Sequence, residues 1–440
     1  MARLNTAHQT TEDSLMIINN IRHISDKIAI LIDTKGPEIR TNNTDNALEV
    51  NTGDVVYIKG APGTRSYDNV VCLSYEGVVS DVPTGSRLLI DDGDIGLLVK
   101  SKEKDYLVCE ALNQGIIRGR KSVNIPGIEV KLPSLTSKDR EYVHLAVDED
   151  IDFIAHSFVR NKNDVLQIQD ILDEHNSRVK IIAKIENQSG VDNIDEIIDH
   201  TYGIMVARGD LAIEIPYERI PGVQKMITDK CIEKRKPVII ATQMLHSMIN
   251  NPRPTRAEVS DIANAIFSNT DAIMLSGETA YGNYPLESLQ TMTTVACEVE
   301  KTKEPIHDIP VGIIHNEISS FLIKAAVRGA VDLSAKAILA DSMSGRTIRS
   351  LSAYRGNRMI WAKCYDRRVV RELALSYGVN ANYMDPTETS HEFVLNAVES
   401  LLKDGAVLSD DLLVVIAGNF GHNTGASYIE IGTVKNLLNK

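Results

Sequence analysis

The stretch "IIAKIENQSG", residues 181–190, joins a short apolar run to a lysine and a glutamate. A continuous apolar run of this length is typical of a buried strand in a parallel sheet. Side chains two residues apart point to the same face of a strand, so we expect Lys184 and Glu186 to project together from its end. Removing both charges from water is costly unless a partner or a metal ion compensates them. The ordinary alternative is a solvated salt bridge, and the choice depends on what the other strand ends carry.

Short apolar runs recur along the chain and alternate with longer segments of helical period. Such alternation indicates parallel βα units, so the predicted fold class is α/β. The predicted strands lie at residues 2–5, 28–33, 152–156, 180–185, 203–206, 237–241 and 271–275. The predicted helices between and after the later strands lie at residues 162–175, 191–199, 217–235, 255–267 and 284–302. These elements make seven units of a (β/α)₈ TIM barrel, which needs eight units to close.

Two segments interrupt this alternation. Residues 41–126 hold only short alternating runs separated by turn signals, which predicts a small inserted all-β domain. From residue 312 onward a second α/β series begins, with a predicted helix at 316–332 and three strands after it, which predicts a separate doubly wound domain. We therefore assign residues 1–40 and 127–311 to the barrel, 41–126 to the insertion and 312–440 to the C-terminal domain.

Composition and charge exclude several classes of protein. The chain of 440 residues has a net charge of −13 and a pI of about 5.4, which argues against nucleic acid or a membrane surface as a partner. No apolar stretch approaches the roughly 18 residues needed to span a bilayer. The five cysteines are scattered and never spaced Cys-x-x-Cys. That pattern predicts reduced thiols and a cytoplasmic location, with neither a disulfide framework nor a zinc site.

Polar or charged residues follow every predicted barrel strand. In chain order the strand ends read Arg3 and Asn5, Asp33-Thr34-Lys35, Ser157, Lys184 and Glu186, Arg208-Gly209-Asp210, Thr242, and Ser276-Gly277-Glu278. The carboxyl ends of barrel strands meet at one mouth, where the active sites of such barrels lie. Glu186 and Asp210 would offer hard oxygen ligands from adjacent strands, which suits Mg²⁺. Arg3, Arg40 and Lys184 would add fixed positive charge, and a divalent ion beside three cations suits phosphoryl transfer.

Several long blocks of the sequence resemble the pyruvate kinase family. They are "ARLNTAH" (2–8), "DTKGPEIR" (33–40), "KIENQSGVDNIDEI" (184–197), "ARGDLAIEIP" (207–216), "ATQML" (241–245), "NPRPTRAEVSDIANAI" (251–266) and "MLSGET" (274–279). The resemblance implies a (β/α)₈ barrel, a small β-barrel lid inserted after its third strand, and a C-terminal α/β domain with regulatory and oligomerising roles. It also implies phosphoryl transfer from phosphoenolpyruvate to ADP, which gives pyruvate and ATP in the last step of glycolysis.

The resemblance implies roles for the residues that handle the phosphoryl group. Glu186 and Asp210 match the carboxylates that bind Mg²⁺ or Mn²⁺ in the family. Lys184 matches the lysine that neutralises the transferring phosphoryl group, and Arg3 and Arg40 match arginines that grip phosphate oxygens. The nucleotide-binding positions of the family are matched by His8, Arg40 and Lys121, the last of them from the lid.

The resemblance also implies a substrate pocket and a path for the proton. Gly209 and Asp210 match the turn whose backbone N–H groups hold the substrate carboxylate. Thr242 matches the threonine beside the enolate carbon, where the proton arrives. Ser276 and Glu278 would lie behind Thr242 in a water relay that supplies this proton.

A monovalent-cation site is implied as well. Its family ligands are matched by Asn5, Asp33 and Thr34. Glu38 matches the glutamate of K⁺-dependent members of the family. Ala7, however, stands where the family usually has a serine whose hydroxyl helps to hold the ion. We therefore expect K⁺ to be a cofactor that binds to a weakened site.

The segment "ADSMSGRTIRS", residues 340–350, joins a predicted strand to a predicted helix that begins near Gly345. A helix N-terminus with hydroxyls and free N–H groups suits a phosphate, and many members of the family bind a phosphorylated effector in the corresponding loop. The implied effector site comprises Ser342, Ser344, Arg346 and Thr347. The resemblance further implies a homotetramer in which the C-terminal domains contact neighbouring subunits. The alternative is an ordinary βα turn with Ser344 as the helix N-cap.

One element of the family pattern has no counterpart in the sequence. The family's first strand and helix carry a TIGP-like motif, and we expect them to precede Met1 in the natural chain.

Among other functions, the main alternative is a metal-dependent pyruvate aldolase or lyase on the same barrel type. Such an enzyme also holds a pyruvate enolate on a carboxylate-bound Mg²⁺, but it needs no arginines or lid lysine for phosphate. Arg3, Arg40 and Lys121 therefore favour the kinase.

Overall fold

A computed structural model describes residues 1–7, 9–128, 130–303, 316–418 and 426–439. In chain order the strands are β1 (Ala2–Asn5), β2 (Ile30–Asp33), β3 (Leu48–Val50), β4 (Val55–Gly60), β5 (Val70–Leu73), β6 (Arg87–Ile90), β7 (Ile95–Lys102), β8 (Leu107–Ala111), β9 (Gly115–Ile117), β10 (Val123–Asn124), β11 (Phe153–His156), β12 (Lys180–Ile185), β13 (Gly203–Ala207), β14 (Val238–Ala241), β15 (Ala272–Met274), β16 (Ala337–Ser342), β17 (Met359–Cys364), β18 (Val379–Tyr383), β19 (Leu412–Gly418) and β20 (Ala426–Thr433).

The helices, again in chain order, are α1 (Thr11–Ile24), α2 (Val78–Asp81), α3 (Ser137–Asp148), α4 (Lys162–Glu174), α5 (Gln188–Asp192), α6 (Ile194–His200), α7 (Arg208–Glu214), α8 (Ile220–Glu233), α9 (Arg256–Phe267), α10 (Gly277–Ala280), α11 (Pro285–Thr302), α12 (Glu317–Asp332), α13 (Arg346–Ala353), α14 (Arg367–Glu372), α15 (Ser390–Lys403) and α16 (Val434–Leu438). Of the helices in the described ranges, none is long and apolar enough to cross a membrane.

The first sheet contains seven parallel strands in the order β1-β2-β11-β12-β13-β14-β15. Successive side chains of a strand enter different cores, as expected for a sheet buried on both faces. Phe153 and Ala155 join a cluster made mostly of strand residues, whereas Ile154 joins the larger cluster formed with the surrounding helices. Because all seven strands run in the same direction, their polar carboxyl ends meet at one edge of the sheet.

The α/β class and the count of seven barrel strands are confirmed. Within the described residues, β1 pairs only with β2 and β15 pairs only with β14, so the sheet is a curled half-barrel with two unpaired edges. The strands that carry the predicted site residues are all present, and the mouth is formed without an eighth strand.

The inserted lid is built on a six-stranded sheet in the order β10-β6-β7-β8-β4-β5, with β3 and β9 paired beside it. The segment Arg40–Thr41 joins the two edges of this sheet, because Arg40 bridges Ser122 next to β10 and Thr41 bridges Leu73 in β5. These bridges close the lid into a small barrel. Arg40 thus lies in the segment that leads from β2 into the lid and also pairs with the edge of the lid sheet, which fixes its position.

The C-terminal sheet has the order β18-β17-β16-β19-β20, in which only β20 is antiparallel to its neighbour. Alternate residues face opposite cores, with Ile338 packing against α12 and α13 and Leu339 against α15.

Strands β18 and β20 and helices α1, α3 and α7 are absent from the sequence-based prediction. Helix α7 has only seven residues, too few to display a helical period. The domain boundaries stay predictions, and the one at 311/312 lies outside the described residues.

Buried ion pairs join the amino ends of the barrel strands to the C-terminal region. Asp152, just before β11, accepts hydrogen bonds from Arg371 Nε at 2.6 Å and Arg22 Nη2 at 3.1 Å. Asp271, just before β15, accepts two hydrogen bonds from Arg355, at 2.7 and 2.8 Å. We call Arg22, Asp152, Asp271, Arg355 and Arg371 the base clamp. It lies at the opposite end of the sheet from the mouth.

Candidate active site

Four charged side chains meet at the carboxyl ends of β1, β2 and β12. Lys184 Nζ lies 2.9 Å from Glu186 Oε1 and 3.1 Å from Asp33 Oδ1. Arg3 Nε lies 2.6 Å from the second oxygen of Asp33, Oδ2. The side chains of Asp33 and Glu186 are only 1% exposed. The lysine and glutamate therefore form part of a buried ion cluster, and the solvated salt bridge is ruled out.

Burial and neighbouring charges shift the pKa values of Lys184 and Asp33 in opposite directions. Burial would lower the pKa of Lys184, but the carboxylates of Asp33 and Glu186 outweigh burial and raise this pKa above its ordinary value. Burial would raise the pKa of Asp33, but Lys184 and Arg3 outweigh burial and lower it. Both groups are therefore charged at neutral pH.

Asp210, at the start of α7, lacks such compensation. Burial, and then the charge of Glu186, raises the pKa of Asp210 to about 7. Among the described residues no cation forms an ion pair with Asp210, so Glu186 and Asp210 share the single charge of Lys184. We call Arg3, Asp33, Lys184, Glu186 and Asp210 the mouth cluster. Its excess of carboxylate favours an additional cation.

The donor set indicates which cation fits. Nowhere in the described ranges do three or more His, Cys, Asp or Glu side chains gather in a way that could hold a metal ion. Protein ligands at the mouth would thus be the two carboxylates of Glu186 and Asp210. Mg²⁺ is commonly held by one or two carboxylates and keeps waters and substrate oxygens as its other ligands. The residues present therefore fit Mg²⁺ or Mn²⁺.

The turn after β11 forms hydrogen bonds with two members of the mouth cluster, Lys184 and Glu186. Phe158 has a left-handed backbone with φ +57°, and its N–H donates to Glu186 Oε2 at 2.7 Å. Ser157 Oγ accepts a hydrogen bond from Lys184 Nζ at 2.7 Å. Gly36 packs directly against this turn, and a Cβ at Gly36 would lie 2.8 Å from both side chains. Gly36 also has φ +70°, so glycine is required there on two grounds.

Thr242 and Glu278 organise the other side of the mouth. Thr242 Oγ1 accepts a hydrogen bond from Gly209 N at 2.8 Å, which leaves the hydroxyl proton free to point elsewhere. Glu278 is 2% exposed, and its two oxygens accept hydrogen bonds from Ser276 N at 2.8 Å and Leu245 N at 3.1 Å. Glu278 thus ties the turn after β15 to the turn after β14.

A cavity of about 820 Å³ lies between the lid and the mouth and is lined by Arg40, Lys121 and Asp210 among others. Arg40 Nε donates to Glu38 Oε2 at 2.7 Å, and Lys121 Nζ donates to Asp91 Oδ1 at 2.9 Å. Two of the residues predicted to bind nucleotide therefore reach the same space as a predicted metal ligand.

Two family models match the sequence. One is described as the pyruvate kinase barrel domain and matches residues 1–289, and the other is described as the pyruvate kinase alpha/beta domain and matches residues 321–431. The chain belongs to the pyruvate kinase family. It is accordingly an enzyme of a phosphotransferase family, and the resemblance read from the motifs is confirmed.

Individual pyruvate kinases are similar to the chain over nearly its full length. The pyruvate kinase of Borreliella burgdorferi is 48% identical over 99% of this chain and 92% of its own length. That of Bacillus licheniformis is 42% identical over 100% of this chain and 77% of its own length. A crystal structure of a pyruvate kinase from Cryptosporidium parvum superposes with a TM-score of 0.92 at 34% identity, covering 98% of this chain and 90% of that one.

The residues that match the family's monovalent-cation site lie together at the mouth, but several of their oxygens are already engaged. Asn5 Oδ1 accepts a hydrogen bond from Ala7 N at 3.2 Å. Thr34 Oγ1 donates to Ala155 O and accepts from Ser157 N. Asp33 already neutralises two cations of the mouth cluster. Any K⁺ bound here would therefore compete with fixed protein charges for one carboxylate.

The four residues that match the family's effector loop differ in exposure. Ser342 is buried and its hydroxyl accepts a hydrogen bond from Gly345 N at 2.8 Å. Ser344 and Arg346 are exposed, and Thr347 is half-buried. The N-cap of α13 is Gly345, at φ +76°, and it makes no side-chain cap, so the alternative in which Ser344 caps the helix is wrong. His8, the remaining predicted nucleotide ligand, lies outside the described residues.

Some supporting groups escaped the sequence analysis. The backbone N–H of Phe158 binds Glu186 because of a left-handed turn, and no residue type marks that geometry. Asp91 holds Lys121 across 30 residues of the lid. Arg208 lies inside the motif "ARGDLAIEIP" and is 8% exposed, yet the motif alone gave it no role. The signal that the sequence offered is its position, because an arginine directly after the apolar strand β13 and next to predicted substrate-binding residues needs partners for its charge.

Proposed function

We propose that this chain transfers the phosphoryl group of phosphoenolpyruvate to ADP and releases pyruvate and ATP. The observation that carries the proposal is the mouth cluster, in which buried arginine, lysine and carboxylate groups adjoin a cavity that Arg40 and Lys121 also reach. Phosphoryl transfer is catalysed mainly by positioning and by neutralising charge, and this cluster offers both.

Glu186 and Asp210 would hold the divalent ion. When bound, Mg²⁺ or Mn²⁺ supplies positive charge next to the phosphoryl and enolate oxygens. The support for this assignment is the carboxylate of Asp210, whose pKa is raised first by burial and then by the negative charge of Glu186.

The cationic residues would stabilise the group in transfer. Lys184 neutralises the phosphoryl oxygens, and its ion pairs with Asp33 and Glu186 keep the ammonium charged and fixed in place. Arg3 is fixed in the same way by Asp33 and grips a phosphate oxygen. Arg40 and Lys121 contact ADP together with His8, and closure of the lid excludes water from the site.

The other side of the mouth would bind the carboxylate and deliver a proton. The turn of Gly209 and Asp210 binds the substrate carboxylate through the backbone N–H of Asp210, while the N–H of Gly209 donates to Thr242 Oγ1. The hydroxyl of Thr242 faces the enolate carbon, which must gain a proton to become pyruvate. Ser276 and Glu278 pass a proton from water to this position, in addition to the backbone contacts of Glu278.

Regulation and assembly form a further part of the proposal. K⁺ would bind near Asn5, Asp33 and Thr34 as an activating ion. A phosphorylated sugar or nucleotide would bind the loop formed by Ser342, Ser344, Arg346 and Thr347, in a cytoplasmic homotetramer. The exposed Ser344 and Arg346 support this because both are accessible to an anion.

A coupled assay for pyruvate release tests the main proposal. With phosphoenolpyruvate and Mg²⁺ we expect pyruvate only when ADP is present, with ATP formed in equal amount. Pyruvate release that is independent of ADP would contradict the kinase assignment. Carbon–carbon cleavage of a larger keto acid would favour the aldolase or lyase alternative.

The effector proposal has its own test. Sugar phosphates and AMP are added one at a time while the phosphoenolpyruvate saturation curve is measured, and Ser344→Glu is measured beside the parent. We expect one ligand to shift the parent's curve and to leave the variant unmoved, because the new carboxylate repels a phosphate. If no ligand shifts the curve, or both proteins respond equally, the loop binds no effector.

A further inference from the structure

Two consecutive residues after β14 adopt a left-handed backbone. Thr242 has φ +70° and Gln243 has φ +55°. Neither is glycine, and the branched Cβ of threonine makes this region especially unfavourable. Residues held in such conformations persist only where surrounding contacts determine them, and they concentrate at functional sites. The contacts that hold Thr242 therefore bear on function.

Arg208 makes those contacts. Its Nη2 donates to Thr242 O at 2.7 Å and its Nε to Ala241 O at 3.4 Å. Its Nη1 forms an ion pair with Asp261 on α9, at 2.7 Å. The next residue in the chain, Gly209, donates its N–H to Thr242 Oγ1 at 2.8 Å. Two adjacent residues thus hold both the carbonyl and the hydroxyl of Thr242.

We propose that Arg208 is a positioning residue that aims the Thr242 hydroxyl at the enolate carbon, an inference that rests on the proposed function. In that step a C–H bond forms at the enolate carbon as the hydroxyl O–H bond breaks, and water returns a proton to the oxygen through the relay. Because Thr242 Oγ1 accepts the Gly209 N–H, the hydroxyl's own proton points away from the backbone. A guanidinium spreads five donors over three nitrogens in a rigid plane and so holds two carbonyls and a carboxylate in fixed positions, whereas an ammonium has its three donors on one nitrogen.

Within the described residues, the hydrogen bonds and ion pair of Arg208 do not involve the side chains that would handle the phosphoryl group. Its partners are the backbone of β14 and its following turn, together with Asp261. A change at Arg208 should therefore impair proton delivery to the enolate more than phosphoryl transfer. That selectivity separates a positioning role from a purely structural one.

The experiment compares Arg208→Lys with the parent enzyme in two assays. One is hydrogen exchange at the pyruvate methyl group with Mg²⁺ and ATP present, and the other is phosphoryl transfer from phosphoenolpyruvate to ADP. We expect exchange to fall by about tenfold or more, with KM for phosphoenolpyruvate changed by less than about twofold. In a Thr242→Ala background the same change should have almost no further effect on exchange. Additive losses in the two backgrounds would overturn the proposal.

Two further variants test whether the loss of hydrogen exchange reflects only poorer folding of the protein. Asp261→Asn leaves the guanidinium in place but removes the carboxylate that orients it, and we expect a smaller loss of exchange with the same selectivity. Arg355→Lys weakens another buried Arg–Asp pair, in the base clamp, and should lower the melting temperature without changing the ratio of exchange to transfer. If Arg355→Lys lowers that ratio as much as Arg208→Lys, the role of Arg208 is only structural. A parent enzyme that forms no pyruvate from phosphoenolpyruvate and ADP would refute the proposed function itself.

Discussion

The two ends of the barrel sheet both bury carboxylates, but only at the base does each one have a cation of its own. Asp271 has both oxygens bound by Arg355 and also accepts hydrogen bonds from the backbone N–H groups of Val238 and Tyr377. Asp152 lies between two guanidinium groups of the base clamp and is fully buried. Each carboxylate of the base clamp thus has at least one guanidinium partner and accepts hydrogen bonds on both oxygens, as a structural ion pair requires, although Arg355 Nε is buried without a partner.

At the mouth, the negative charges outnumber the positive charges. The mouth cluster contains three carboxylates and two cations, and the carboxylate without a cation is Asp210. Burial and the neighbouring Glu186 raise the pKa of Asp210 to about 7. The same residue types therefore serve two purposes, and the local sum of charge distinguishes them. A balanced pair holds two parts of the chain together, whereas an unbalanced one creates a place for an additional cation.

The largest effect on turnover is expected from substitutions in the mouth cluster that leave the base clamp unchanged. We expect Glu186→Gln or Asp210→Asn to lower turnover by at least about 10³-fold, because the divalent ion loses a charged ligand. Asp210→Asn should at the same time keep or raise the melting temperature of the metal-free protein, because a repulsive charge is removed. The measurements are the coupled assay and thermal unfolding in chelator. Near-normal turnover at ordinary Mg²⁺ would contradict the metal assignment.

The next prediction separates the two cationic roles within the mouth. We expect Lys184→Met to reduce phosphoryl transfer by about 10²- to 10³-fold while hydrogen exchange at pyruvate is much less affected. The reason is that, under the proposed function, the ammonium would neutralise the phosphoryl group, whereas the charge at the enolate oxygen would come from the ion held by Glu186 and Asp210. Both rates are measured on the same preparation. Parallel loss of exchange and transfer would show that Lys184 does not act on the phosphoryl group alone.

The matching change at the base should alter stability and leave chemistry intact. Asp271→Asn leaves Arg355 buried without its partner, and such a loss costs about 3–5 kcal/mol in the free energy of unfolding. Turnover per folded molecule should stay within about twofold of the parent. Denaturant unfolding and the coupled assay check the two parts. A specific loss of turnover at unchanged stability would place Asp271 in the catalytic machinery and end the contrast between the two ends.

The smallest expected effect concerns K⁺. Asp33 is already shared by Arg3 and Lys184, and Ala7 supplies no hydroxyl, so we expect K⁺ to raise activity only about two- to fivefold. Ala7→Ser adds an oxygen and should lower the K⁺ concentration at half-maximal activation. Activity is measured from zero to saturating KCl, with choline chloride as the control for ionic strength. A flat response in the parent would exclude the site.

The sequence predicted the positions of the strand ends well because runs such as residues 237–241 are apolar and sharply bounded. It could not predict which charges would pair. Asp33 was expected as a K⁺ ligand, yet it holds Arg3 and Lys184 from two other strands, at distances that depend on the register of β1, β2 and β12. Helix α7 was missed because seven residues show no hydrophobic period, although it begins inside the motif "ARGDLAIEIP".

The sequence by itself determined the α/β class, the seven barrel strands and the family, because apolar periodicity and long motifs are local properties of the chain. Only the tertiary structure decided that three carboxylates share two cations at the mouth while each carboxylate of the base clamp has its own guanidinium, since those contacts join residues up to 219 positions apart. The left-handed turns at Phe158 and Thr242 were likewise visible only in the tertiary structure, because neither residue type indicates a left-handed backbone. The physical reason is that burial and charge balance depend on neighbours in space.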